Sequence, residues 1–205
     1  MDELVLRGMA KWPNVPAVYD WLSLDRRGQW FIRGDRVSNP AVTAFIGRNF
    51  GRDQRGCWFF QNGPQRVFVS LDYAPLVLRV AGAEGAPLEL EAHTGKRVAT
   101  LEGAWLDEEG SLLLSTNLGP GLLDDRDLDR LMPAFVDANG NPVGEAVLEN
   151  LMDLAARQQA VPLWLRFRES NVKIDSIRAA DVPQRFSFVR EPRPPAAAGG
   201  EVKKR

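Results

Sequence analysis

Chemistry needs side chains that titrate, ligate or attack, and this sequence holds few of them in company. It has one histidine, His93, and one cysteine, Cys57. A lone cysteine excludes an intramolecular disulfide and any multi-cysteine zinc site. A lone histidine excludes every site built on two imidazoles. His93 lies in Ala92-His93-Thr94-Gly95-Lys96, which reads as an exposed turn. No Gly-x-Ser-x-Gly elbow offers a serine for it to activate. Cys57 falls between Gly56 and Trp58 on a predicted strand, as a small, partly buried residue. Thiolate chemistry would need His93 beside it, and nothing in the sequence brings the two together.

The carboxylates are more numerous and no more specific. Asp124-Asp125-Arg126-Asp127-Leu128-Asp129 invites a calcium loop. Reading it from Asp125 puts Arg130 where the loop needs glycine and Val136 where it needs glutamate. Reading from Asp137 puts Pro142 and Leu148 at those positions, so both fail. Acidic residues at a helix start, favoured by the helix dipole, account for the cluster. There is no Walker loop, and no Gly-x-Gly-x-x-Gly following a strand. The sequence therefore supports no cofactor, no metal and no catalytic residue, and leans against an enzyme.

What remains are tryptophans and arginines. Trp12, Trp21, Trp30 and Trp58 stand among Arg26, Arg27, Arg33, Arg52, Arg55 and Arg66. Both residue types are enriched at binding hot spots, and both stack with single-stranded nucleic acid. The plainer reading puts the tryptophans in the core and the arginines on its rim. The polar tip Gln61-Asn62-Gly63-Pro64-Gln65-Arg66 is the better surface candidate, because turn geometry requires neither glutamine nor the arginine. Gln61, Asn62, Gln65 and Arg66, with Trp58 as an apolar floor, are thus the expected binding residues. An unknown protein partner is the favoured reading. Nucleic acid on the basic, aromatic N-terminal surface is the alternative, and an unrecognised carboxylate or arginine enzyme site comes third.

These residues must be held by hairpins. Asp25-Arg26-Arg27-Gly28, Asp53-Gln54-Arg55-Gly56, Asp107-Glu108-Glu109-Gly110 and Asp137-Ala138-Asn139-Gly140 all read Asp-x-x-Gly. That pattern suits a type I turn closed by a left-handed glycine, a common hairpin loop. Pairing Asp25 with Gln29 sets Leu24 opposite Trp30 and Leu22 opposite Ile32, one apolar row. Residues 25–31 and 53–59 agree at five of seven positions, two copies of one hairpin unit 28 residues apart. Between them, Asn39 and Pro40 start a predicted helix with Val42, Phe45, Ile46 and Phe50 on its apolar face and Gly51 as its stop. Further strands are predicted at 67–71, 76–80, 88–92, 97–106, 111–115, 163–167, 172–177 and 185–189. Residues 117–121 read as a loop. A short helix around Leu128–Met132 ends at Pro133, and a longer one spans 144–159.

The fold class that follows is α+β: mostly antiparallel hairpins and meanders packed against two or three helices. The expected organisation is a hairpin–helix–hairpin unit over 1–80, an α+β unit over 81–191 joined through 81–87, and a disordered tail over 192–205. With 205 residues and 44% hydrophobic content, the chain is large enough for a core without staples. Residues 1–80 carry 11 basic and 7 acidic side chains, 81–155 carry 4 and 15, and 156–205 carry 11 and 5. The acidic middle is expected to pair within the fold. No apolar run has the length of a membrane span, and the acidic start lacks signal-peptide character. The expectation is a soluble cytoplasmic protein with no membrane contact.

Asp25-Arg26-Arg27-Gly28-Gln29-Trp30, Asn39-Pro40-Ala41-Val42-Thr43-Ala44-Phe45-Ile46-Gly47-Arg48-Asn49-Phe50 and Trp58-Phe59-Phe60-Gln61-Asn62-Gly63-Pro64-Gln65-Arg66-Val67-Phe68-Val69 together resemble a family of small proteobacterial proteins of unknown function. The resemblance lies mainly over 21–80. It implies a bacterial protein and brings no activity, cofactor or catalytic residue with it.

Overall fold

The computed structural model describes residues 1–12, 15–82, 87–144, 154, 157, 159 and 161–195. Its first sheet holds β1 (Val18–Leu24), β2 (Trp30–Ile32), β3 (Asp35–Arg36), β4 (Phe50–Arg52), β5 (Trp58–Asn62) and β6 (Gln65–Leu71), in the order β3-β2-β1-β6-β5-β4. The second holds β7 (Leu76–Ala81), β8 (Glu89–Ala92), β9 (Leu101–Leu106), β10 (Leu112–Thr116), β11 (Gly119–Leu123), β12 (Phe135–Val136), β13 (Trp164–Phe167) and β14 (Ser170–Ser176). Its order is β12-β13-β14-β9-β10-β11-β7-β8. The described α-helices are α1 (Glu3–Lys11), α2 (Pro40–Arg48), α3 (Leu128–Leu131) and α4 (Val182–Arg185). The protein is mixed α+β. Its meanders are antiparallel, but β1 with β6, β7 with β11 and β9 with β14 pair in parallel.

The Asp-x-x-Gly turns form as their chemistry demands. In each, Asp Oδ1 accepts the N–H groups two and four residues on, from Arg27 and Gln29 in the first and from Arg55 and Cys57 in the second. The same pattern recurs at Asp107 and Asp137. The closing glycines all have positive φ, from 74° to 82°, the region a Cβ disfavours. Leu24 faces Trp30 and Leu22 faces Ile32, the expected register. The 28-residue repeat is structural as well. Each copy is a three-stranded meander, and the two lie side by side with β1 of the first joined to β6 of the second.

Alternation gives the first sheet its two faces. Leu22, Leu24, Trp30, Trp58, Phe60, Val69 and Leu71 turn inward to a core continuous with the second sheet through Leu76, Leu78, Leu90 and Leu114. Cys57, Phe59 and Phe68 form a smaller cluster on the other face, closed by Tyr19 and Val189.

The differences from expectation have physical causes. α2 begins at its predicted cap, where Asn39 accepts from Ala41 and Val42. It ends at Arg48, and Phe50 and Gly51 enter β4 instead. α1 lies outside the predicted helices: on a narrow face it buries Val5 and half-buries Gly8 and Met9, while Leu4 and Leu6 are exposed. Asp2 at its start is held by an Arg48 ion pair and by Asn49. Residues 119–123, Gly-Pro-Gly-Leu-Leu, form β11 in place of a loop, because β7 and β10 bury them from both sides. Residues 185–189 form no strand; α4 ends there, and Val189 makes one isolated parallel bridge to Cys57. The 97–106 strand begins only at Leu101. Most of the predicted 144–159 helix, of the 81–87 joint and of the 192–205 tail lies outside the described residues; within the described start of the tail, Pro192 is buried.

Candidate functional site

The two copies of the repeat place their tryptophans, Trp30 and Trp58, at equivalent inward positions on β2 and β5. Both are buried, at 1% and 6% exposure. The Phe50 ring stands between them, 5.1 Å from Trp30 and 5.0 Å from Trp58. His93 joins this group, its ring 5.1 Å from Trp30 and 5.9 Å from Phe50. It is therefore no exposed turn residue. Its Nδ1 accepts from the Val77 N–H at 3.2 Å, which leaves its proton on Nε2. Burial, reinforced by the Arg79 charge, pushes its pKa down to about 3.

This aromatic group is incompletely satisfied. Trp30 Nε1, Trp58 Nε1, His93 Nε2 and Thr94 Oγ1 are shielded from solvent and have no hydrogen-bond partner among the described residues. An unmet buried polar group costs roughly 1–3 kcal/mol, so four in one neighbourhood call for a reason. Two of them, on Trp58 and Thr94, belong to residues lining an open cavity of about 310 Å³. The cavity lies between the sheets. Phe50 and Arg52 come from β4, Trp58 from β5, Leu76 from β7, and Thr94 and Lys96 from the turn after β8. Its volume is at the small end of the range for ligand sites.

The expected binding residues are divided between the two faces of the first sheet. Trp58 lines the cavity on the inner face. Gln61, three residues along β5, points to the outer face. It was expected to face solvent and is 1% exposed, with Nε2 donating to Gly63 O and Oε1 without a partner among the described residues. α1 lies over this tip: a Cβ on Gly8 would stand 3.4 Å from Pro64. Gln61 is paired across the hairpin with Arg66, and Asn62 with Gln65. Asn62 and Arg66 are exposed. Gln65 is half-buried and donates to Pro16 O at 3.3 Å. Arg66 stacks over Phe59, 4.7 Å from the ring centroid. Thr94 and Lys96 were not foreseen, since only the approach of the two sheets brings them to Trp58.

The wider aromatic–arginine surface also separates. Trp30 and Trp58 are core, while Trp12 and Trp21 are 59% and 47% exposed. Arg33 lies 3.7 Å over Trp21, and Arg26 stacks on Tyr73. Arg27 and Arg55 pair with Asp125 and Asp53. Cys57 and His93 lie on opposite sides of the first sheet, and burial pushes the Cys57 thiol up, so this pair cannot act as nucleophile and base. Among the described residues, no three histidine, cysteine or acidic side chains gather in a metal-binding group. No described helix is long and apolar enough to cross a membrane.

Comparison with known proteins bears on the fold. The family model described as "Protein of unknown function (DUF2946)" matches residues 1–193. A DUF1285 family protein from Silicibacter pomeroyi has a similar fold: TM-score 0.54 and 18% identity, over 86% of this chain and 97% of that one. A DUF1285 family protein from Shewanella baltica matches over 54% of this chain and 91% of that one, with TM-score 0.41 and 18% identity. Comparison with curated proteins gives no match.

Proposed function

Since the chain belongs to the DUF2946 family of unknown function, we propose a reading from its own geometry: a non-enzymatic binding protein whose ligand enters the cavity at Trp58. One observation carries it. The cavity of about 310 Å³ is walled by side chains whose buried polar atoms, Trp58 Nε1 and Thr94 Oγ1, lack partners among the described residues. A ligand that supplies those partners after a small side-chain shift recovers the cost of burying them bare.

The test is a fragment screen read by amide NMR shifts. Small planar molecules are expected to move the resonances of Phe50, Trp58, Thr94 and Lys96. Leu118→Trp, which fills the cavity from its half-buried rim, is expected to abolish the shifts without unfolding the protein. Fragments that bind elsewhere, or that bind Leu118→Trp equally well, would overturn the reading.

A second reading, a protein partner on the Asn62, Gln65 and Arg66 tip, is favoured by Arg66, exposed with no carboxylate partner among the described residues. Arg66→Ala should then weaken capture of that partner, with stability lowered by no more than the ~1 kcal/mol of an exposed cation–π contact. The division at residue 80 is a proposal too, with 1–80 and 81–191 as two units that fold together; of the 192–205 tail, Pro192 is buried, and the part beyond 195 is proposed as dispensable.

A further inference from the structure

We infer that the ligand of the Trp58 cavity is a small planar organic anion, an inference that rests on reading the cavity as a binding site. Nine residues line it; two are cationic, Arg52 and Lys96, and none is acidic. The asymmetry runs against the local sequence. Residues 81–155 hold 15 acidic side chains and only 4 basic ones, yet one of those four, Lys96, stands at this mouth. Its neighbour Arg97 takes up the nearby carboxylates, Glu89 and Glu91. Lys96 is exposed and has no ion-pair partner among the described residues. Arg52 gives Nη2 to Ser187 O at 2.6 Å and likewise has no carboxylate partner among them. Two uncompensated cations beside a partly enclosed, low-dielectric space attract an anion more strongly than they would in open water.

The body of the ligand follows from the other walls. Phe50 and Trp58 present rings 5.0 Å apart and tilted by 34°, with Leu76 beside them. Such walls favour a flat apolar body, and the volume limits it to one or two fused rings. Thr94 Oγ1 and Trp58 Nε1 are shielded from the cavity as it stands and reach a substituent on that body only after a small side-chain shift.

The test uses three isosteric probes, 2-naphthoate, 2-naphthamide and 2-naphthylmethylammonium, titrated into the full chain and followed by NMR shifts at Trp58. The carboxylate is expected to bind roughly tenfold tighter than the amide, the ratio one charge-assisted hydrogen bond supplies, and the ammonium weakest of all. Lys96 is on the surface, so Lys96→Gln should fold normally and remove much of the carboxylate's advantage over the amide. Lys96→Glu should reverse the preference. Equal binding of the three probes, or a preference for the ammonium, would overturn the anion inference while leaving the cavity a binding site. No shift at Trp58 with any probe would overturn both.

Discussion

Single residues carry sharp consequences where the chain leaves them no room. Gly56 closes the second Asp-x-x-Gly turn at φ 82°, and a Cβ there would stand 2.4 Å from Ser187 O. Gly34 has a comparable φ of 91° with open space around it. Gly34→Ala should therefore cost only the left-handed penalty, about 1 kcal/mol. Gly56→Ala should cost 2 kcal/mol or more, because the backbone of 187–188 must also move. Urea melts of the two variants separate the terms. His93 sets a pH window. Its folded pKa is about 3 against an ordinary 6.5, so below pH 6.5 the unfolded chain takes up a proton that the folded chain refuses. Stability should fall as pH drops from 6.5 toward 3, by up to about 1.4 kcal/mol per pH unit. His93→Asn should be less stable at pH 7 yet lose that slope between pH 6.5 and 5. An unchanged slope would show that other groups set it.

At the scale of elements, the same four-residue turn is used at different depths. Asp107 is fully buried and accepts from Glu109 N, Ser111 N and the Tyr73 hydroxyl. Asp137 makes the same two backbone contacts at the surface. Asp107→Ala should cost about 2 kcal/mol or more, since it strands a buried hydroxyl and two partly buried amides; Asp137→Ala should cost clearly less. Equal losses in thermal melts would mean that the turn alone matters and not its burial. These turns were legible in the sequence because their chemistry is local: one aspartate satisfies the backbone and one glycine takes positive φ. The parallel pairs were not, because nothing within β1 announces that Leu22 will meet Val69. β11 reads as a loop residue by residue and becomes a strand only through its neighbours. Of the candidate site, Trp58 was legible and Lys96 was not, since their proximity belongs to the packing of two sheets.

Over the whole molecule, charge and chain path tie the parts together. The acidic middle pairs with the basic first segment through Arg26–Glu109, Arg27–Asp125 and Arg79–Asp124. Arg126 beside Asp124 holds that buried carboxyl down at about 2. After α4 the chain returns to the first sheet. Val189 N donates to Gly56 O at 3.1 Å, Leu71 N donates to Arg190 O at 2.8 Å, and Arg190 also bonds Asp72 O. Phe188 and Pro192 are buried along the way. Truncation after 195 should leave the melting temperature within a degree or two. Truncation after 186 should lower it by about 10 °C or more, as expected for losing several kcal/mol from a chain of this size. Equal melting temperatures would show that the returning segment is ornament.

That returning segment also bears on birth. Cys57, Phe59 and Phe68 are covered on one side by Tyr19 and on the other by Val189, and Val189 leaves the ribosome more than a hundred residues after them. At about 5–20 residues per second, the nascent first sheet presents this oily patch to its surroundings for on the order of ten seconds. A holding factor that grips exposed aromatics has its opening in that interval, and arrested chains ending before residue 186 should be its best clients.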